Sequence, residues 1–120
     1  LICYDIEFAA HARALADLGA ELVLVPTANP AGFSVVSGAL VPARAAEAGL
    51  VIAYANYCGA EGDLAYDGNS VIVDGNGATL ARAGQAPALL IVDLAGLPAP
   101  LTTQSADFRS PVQASFGGTR

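Results

Sequence analysis

Apolar residues in this chain recur at helical spacing in two places and form short unbroken runs in three others. Phe8, Ala12, Leu15 and Leu18 fall three or four apart, with His11, Arg13 and Asp17 between them. That period predicts a helix, and Gly19 predicts its end. Leu22 to Val25 is an apolar run stopped by Pro26, the pattern of a buried parallel strand. Thr27 to Gly32 is then a loop at the carboxyl end of that strand, where ligands of α/β sheets usually sit. A second helix is expected over about Leu40 to Ala48, with Pro42 in its first turn, Gly49 at its end, and Arg44 and Glu47 paired on one face. Leu50 to Ala55 reads as the next strand and Asn56 to Asn69 as a long polar loop. Ser70 to Val73 and Ala78 to Ala83 read as a hairpin joined by Asp74-Gly75-Asn76-Gly77. Leu89 to Leu94 reads as a last strand. From Ala95 onward Pro, Ser, Thr and Gly accumulate, so 1–94 is expected to fold and 95–120 to form an extended arm or loose tail. The order predicts an α/β fold: one mixed sheet with helices on one face.

The first eight residues stand apart from this scheme. Leu1 and Ile2 lead into Cys3, and the helical pattern begins about five residues later. A strand, a tight turn and a helix are expected, a geometry that lifts a nucleophile off the end of a sheet. Backbone N–H groups at the start of the helix favour a thiolate and an oxyanion. The alternative for Cys3 is a small buried hydrophobe.

Composition narrows the classes of function. Hydrophobic residues make up 54% and charged residues 13%, which is apolar for a small soluble domain. A small domain has little interior, so the chain reads as half of a larger packed object. The net charge of −6 argues against nucleic acid and anionic membranes as partners. No apolar run approaches the ~18 residues of a membrane span, and no signal peptide is visible ahead of the first strand. Two widely separated cysteines are expected as free thiols in a reducing, cytoplasmic setting.

The segments LICYDIEF, ARAL, GAELVLVPTANP, VPARAAE, YANYCGAEGD and GNSVIVDGNG, in that order, resemble the second half of a carbon–nitrogen hydrolase of the nitrilase superfamily, nearest its aliphatic amidase branch. The resemblance runs from Leu1 to about Leu94. Beyond it, Ala106 to Pro111 is similar to a family ending with an Arg-Pro element. Ala9-Ala10 stands where the family usually has Pro-Glu, and Ala48 where it often has Asn. The resemblance implies an α-β-β-α sandwich, of which this chain supplies one sheet and its outer helices.

The resemblance also implies a Glu–Lys–Cys triad. Cys3 is then the nucleophile, and the backbone N–H of Tyr4 an oxyanion donor. It places the loop of Thr27, Ala28, Asn29 and Pro30 beside the nucleophile, with Phe33 and the Tyr4 ring as apolar walls and Asn56 orienting a loop or a substrate carbonyl. The family's glutamate and lysine precede the cysteine, whereas this chain holds no lysine and only two residues before Cys3. Arginine is no substitute for the lysine. Glu7 is read as structural, Glu21 as a solvated turn residue, Glu47 as the partner of Arg44, and Glu61 as a border of the site. Asp5 is expected to hold the turn at Cys3 through backbone hydrogen bonds. A Cys3–His11 dyad is disfavoured by direction, and Cys3, His11 and Cys58 match no metal-ligand spacing. The expected activity is hydrolysis of a small-molecule amide through a cysteine thioester, with no cofactor and no metal, in an enzyme that forms homo-oligomers. The rival expectation is an inactive assembly module that keeps the sheet.

Overall fold

The computed structural model describes residues 1–101. One turn of 3-10 helix, Cys3–Glu7, leads into α1, Ala9–Asp17, and then into β1, Leu22–Thr27. A wide π-type turn, Val36–Leu40, runs straight into α2, Val41–Ala48, which returns the chain to β2, Val51–Asn56. Four shorter strands follow: β3, Cys58–Glu61; β4, Leu64–Asp67; β5, Val71–Val73; and β6, Thr79–Arg82.

The main sheet has the order β1-β2-β5-β6, and β3-β4 forms a separate hairpin. β1 and β2 are parallel, in register from Leu22↔Val51 to Thr27↔Asn56. β5 runs antiparallel to both β2 and β6. The fold is therefore mixed α/β, as the apolar pattern predicts. Gly49 ends α2 in the left-handed region, at φ 68°; without a Cβ it takes this conformation freely. Arg44 and Glu47 pair at 3.2 Å.

Side chains alternate on β1. Val23 and Val25 are buried, while Leu22 and Leu24 are 44% and 62% exposed. Val23, Val25, Ile52, Tyr54, Val71 and Val73 join Ala12, Val41 and Ala45 of the helices in one core. The helices cover this face alone, so the opposite face keeps its apolar residues without a helical layer.

Four expectations need correction. No strand forms at Leu1 and Ile2: the Ile2 N–H donates instead to Asp5 Oδ2 at 3.1 Å, which removes a donor that a ladder requires. β1 continues through Pro26 to Thr27, because an edge strand tolerates a residue with no N–H. The polar stretch after Asn56 contains the β3–β4 hairpin, turning at Gly62 with φ 59°; its strands lack the β-branched residues that would have marked them. Leu89 to Leu94 is not a strand. Leu90, Ile91, Val92 and Leu94 instead share a groove with Leu22, Leu24, Ala53 and Ile72 on the open sheet face. Ala12 of α1 is buried, but Phe8 and Leu18, which flank the helix, are 44% and 78% exposed, so the apolar stripe is narrower than its period implies. The Arg-Pro element at 106–111 lies outside the described residues.

Candidate active site

Cys3 occupies the left-handed region at φ 49°. A non-glycine residue held there costs about 1–3 kcal/mol and persists only where its surroundings enforce it. Ile2 before it is extended, at φ −129° and ψ 123°. Asp5 closes the turn: its N–H donates to the Ile2 carbonyl at 3.1 Å, and its carboxylate accepts from Ile2 N–H. At the far end, Arg44 Nη2 of α2 donates to the Glu7 carbonyl at 2.8 Å. The elbow is thus clamped at both ends, one of them by the helix that also packs the core.

The sulfur faces the carboxyl end of β1. Its pKa is lowered, first by the Thr27 hydroxyl and then by the Ala28 N–H, with a further contribution from the Tyr4 N–H. Burial and the Glu7 carboxylate oppose these donors without overcoming them. The balance favours the thiolate, the reactive form of cysteine.

In front of the sulfur lies a cavity of about 400 Å³, lined by Cys3, Tyr4, Glu7, Thr27, Asn29, Pro30, Phe33, Val36 and Tyr54. Of the residues singled out from sequence, six share this cavity: Cys3, Tyr4, Thr27, Asn29, Pro30 and Phe33. Ala28 adds a backbone N–H to the sulfur. Asn56 is not in the lining. Its Oδ1 accepts the Asn29 N–H at 2.7 Å and its Nδ2 donates to the Gly68 carbonyl at 2.8 Å, so it fixes the loop that carries Asn29. Asn29 Nδ2 in turn donates to the Phe33 carbonyl at 3.0 Å. The β3–β4 hairpin braces the same loop, through Ala31 N–H to Ala65 O at 2.9 Å and Asp67 N–H to Asn29 O at 3.0 Å.

Sequence reasoning did not assign Glu7, Val36 or Tyr54 to the cavity. Glu7 lines the cavity, and its carboxylate opposes ionisation of Cys3. Tyr54 is 2% exposed, and its hydroxyl has no hydrogen-bond partner among the described residues. Leaving a buried hydroxyl unpaired costs about 1–3 kcal/mol. Burial raises the Tyr54 pKa; the nearby Thr27 hydroxyl offsets part of that rise without forming a well-aligned bond. The available signal was a tyrosine inside the otherwise apolar run from Leu50 to Ala55. His11 points elsewhere, with Nδ1 3.1 Å from the Asp5 carbonyl. Cys3 and Cys58 are both free. Among the described residues no group of three or more His, Cys, Asp or Glu is arranged to hold a metal, and no helix is long and apolar enough to cross a membrane.

Comparison with known proteins gives one family, Carbon-nitrogen hydrolase, matched over residues 1–96. The chain is 50% identical over 91 residues to a protein of Pseudomonas protegens described as a hydrolase in the pqqF 5' region, covering 76% of this chain and 32% of that protein. It is 41% identical over 95 residues to an (R)-stereoselective amidase of a Pseudomonas species, covering 78% of this chain and 35% of the amidase. Among solved structures, the amidase of Nesterenkonia sp. AN1 is 53% identical and superposes with a TM-score of 0.76, over 78% of this chain and 37% of that one. A variant of that amidase, at 51% identity and a TM-score of 0.71 over 73% of this chain and 34% of that one, shows covalent addition of the acetamide moiety of fluoroacetamide at its active site cysteine. The chain spans about a third of the length of these relatives.

Proposed function

This chain belongs to the carbon–nitrogen hydrolase family, and on that premise we propose that it carries the nucleophile of an enzyme hydrolysing small-molecule amides, with Cys3 as the attacking group. The observation that carries this reading is the Cys3 thiol, lowered in pKa by three donors and set in a strained elbow at the mouth of a cavity. The thiolate attacks the amide carbon and a C–S bond forms. The carbonyl electron pair moves to oxygen, where the Tyr4 N–H is a donor. Collapse of this intermediate breaks the C–N bond, and the amine leaves with a proton. Water then hydrolyses the thioester and returns the thiol.

The proton transfers need a general acid and base. The chain has no lysine, so the lysine of the family triad, with its glutamate, would come from polypeptide outside these residues. On this reading residues 1–94 are the second half of the hydrolase domain and 95–120 an arm, and the complete enzyme is a homo-oligomer. The 120-residue chain alone should show no amide turnover. Turnover that Cys3→Ser removes from the same preparation would overturn the assignment of roles. The missing lysine also favours a second reading, an inactive assembly module, which predicts that Cys3 reacts with haloacetamides no faster than Cys58.

A further inference from the structure

The family match ends at residue 96, yet the next five residues are seated on the fold. Leu94, Leu97 and Pro98 line a cavity of about 390 Å³ together with Glu21, Leu22 and Val51, at the starts of β1 and β2. The arm thus crosses the end of the sheet opposite Thr27 and the thiol. Two glycines and an asparagine receive it there. Gly49 ends α2, Gly75 lies in the β5–β6 turn, and Pro100 packs over both. A Cβ at Gly75 would lie 2.9 Å from Pro100 Cγ, and one at Gly49 would lie 3.2 Å from Pro100 Cβ. Asn76 holds the two backbone groups that flank the proline. Its Nδ2 donates to the Ala99 carbonyl at 3.3 Å, and its Oδ1 accepts the Leu101 N–H at 2.6 Å. A side-chain amide carries a donor and an acceptor side by side, so Asn76 meets the arm as a neighbouring strand would. Proline has no N–H, so no donor is stranded between these two contacts. Asp74 steadies Asn76 from behind, its Oδ1 accepting the Asn76 N–H at 2.9 Å.

We propose that Gly49, Gly75 and Asn76 form a proline slot, a peptide-binding site whose ligand is the chain's own Ala99-Pro100-Leu101. The ligand class is an extended peptide with proline between a free carbonyl and a free N–H. Leu101 is 75% exposed, so the slot reads the proline ring and the backbone around it, not the side chain that follows. The missing Cβ atoms are part of the site: a methyl group at either glycine would stand where the ring lies. The slot anchors the arm at the end of the sheet remote from Cys3, and so leaves the thiol's reactivity untouched.

Hydrogen exchange in the arm of the intact chain tests this. Pro98 and Pro100 have no N–H, so Leu97, Ala99 and Leu101 carry the only backbone amides of this stretch. In dilute solution the Leu101 amide should exchange roughly three- to tenfold more slowly than its unstructured rate, as mass spectrometry would report. Asn76→Ala should return it to that rate. Gly75→Ala should reduce the protection as well, by setting a methyl group against Pro100; Gly75 is outside the left-handed region, so its backbone accepts alanine. Labelling of Cys3 by iodoacetamide should stay constant in both variants. Exchange of Leu101 at the unstructured rate in the unaltered chain overturns the proposal, and so does protection that survives Asn76→Ala. Protection that rises with chain concentration overturns the assignment to the chain's own arm and gives the slot to the arm of a second copy. The measurement on the unaltered chain decides the matter even if a variant fails to fold.

Discussion

Thr27 is the largest contributor to the lowered pKa of Cys3. Because the folded value is depressed, the thiolate is populated at a pH where an ordinary cysteine stays protonated. Cys3 should therefore be alkylated faster than Cys58 near neutrality, with its rate inflecting below the usual thiol range. Thr27→Val keeps the shape and removes the donor. It should move the inflection upward and slow Cys3 labelling at pH 7 by roughly three- to tenfold, since one pKa unit is worth up to a tenfold change in thiolate. An unchanged pH profile would leave Thr27 without this role. At this scale, sequence located what the chain's local order determines. The loop from Thr27 to Pro30 was legible as a loop because an apolar run followed by a turn fixes where a loop emerges; its place beside Cys3 was legible only through the family resemblance. Tyr54 was not, because its relation to Cys3 depends on the pairing of β2 with β1, which no local pattern states. The place of Glu7 in the cavity lining was not legible for a similar reason: the 3-10 turn brings it round to the cavity.

The elements depend on a few close approaches. Gly77 sits in the β5–β6 connection at φ 81°, and a Cβ there would lie 2.8 Å from the Pro42 carbonyl oxygen of α2. Asp74 organises the same turn, its Oδ1 accepting from Asn76 N–H and Ala78 N–H, both at 2.9 Å. Gly77→Ala should lower stability by about 1–3 kcal/mol through strained φ and this contact together. The check is a urea melt whose midpoint falls while its slope holds; an unmoved midpoint would mean that the hairpin shifts freely away from α2. The helices, the parallel pair and this glycine-rich hairpin were readable because period, caps and turn residues agree in them. The β3–β4 hairpin was not, since Ala, Gly and Cys carry little strand preference. Leu89 to Leu94 misled in the opposite sense. An apolar run records a need for burial, and here only Leu90 and Val92 are half-buried, in the groove on the sheet face, while Leu89 and Ile91 are 85% and 82% exposed and none joins the ladder.

Across the whole molecule, Leu22, Leu24, Ala53 and Ile72 form an apolar sheet face that no helix covers. Exposed apolar patches of more than a few hundred Å² are uncommon on soluble monomers. The 120-residue chain should therefore self-associate or bind hydrophobic dyes, as light scattering and dye fluorescence would report. Leu24→Lys, at a residue 62% exposed, should shift the chain toward the monomer with a stability change within about 0.5 kcal/mol. A monodisperse, dye-silent parent chain would refute the half-domain reading. The alternation along β1 has a practical corollary. Its odd positions, Val23, Val25 and Thr27, serve the core and the thiol, whereas Leu22 and Leu24 serve only the open face. One strand thus offers two independent handles. Substitutions at the even leucines can tune solubility or graft a new partner while the haloacetamide reactivity of Cys3 stays constant, and a change at Thr27 can retune that reactivity at a fixed association state.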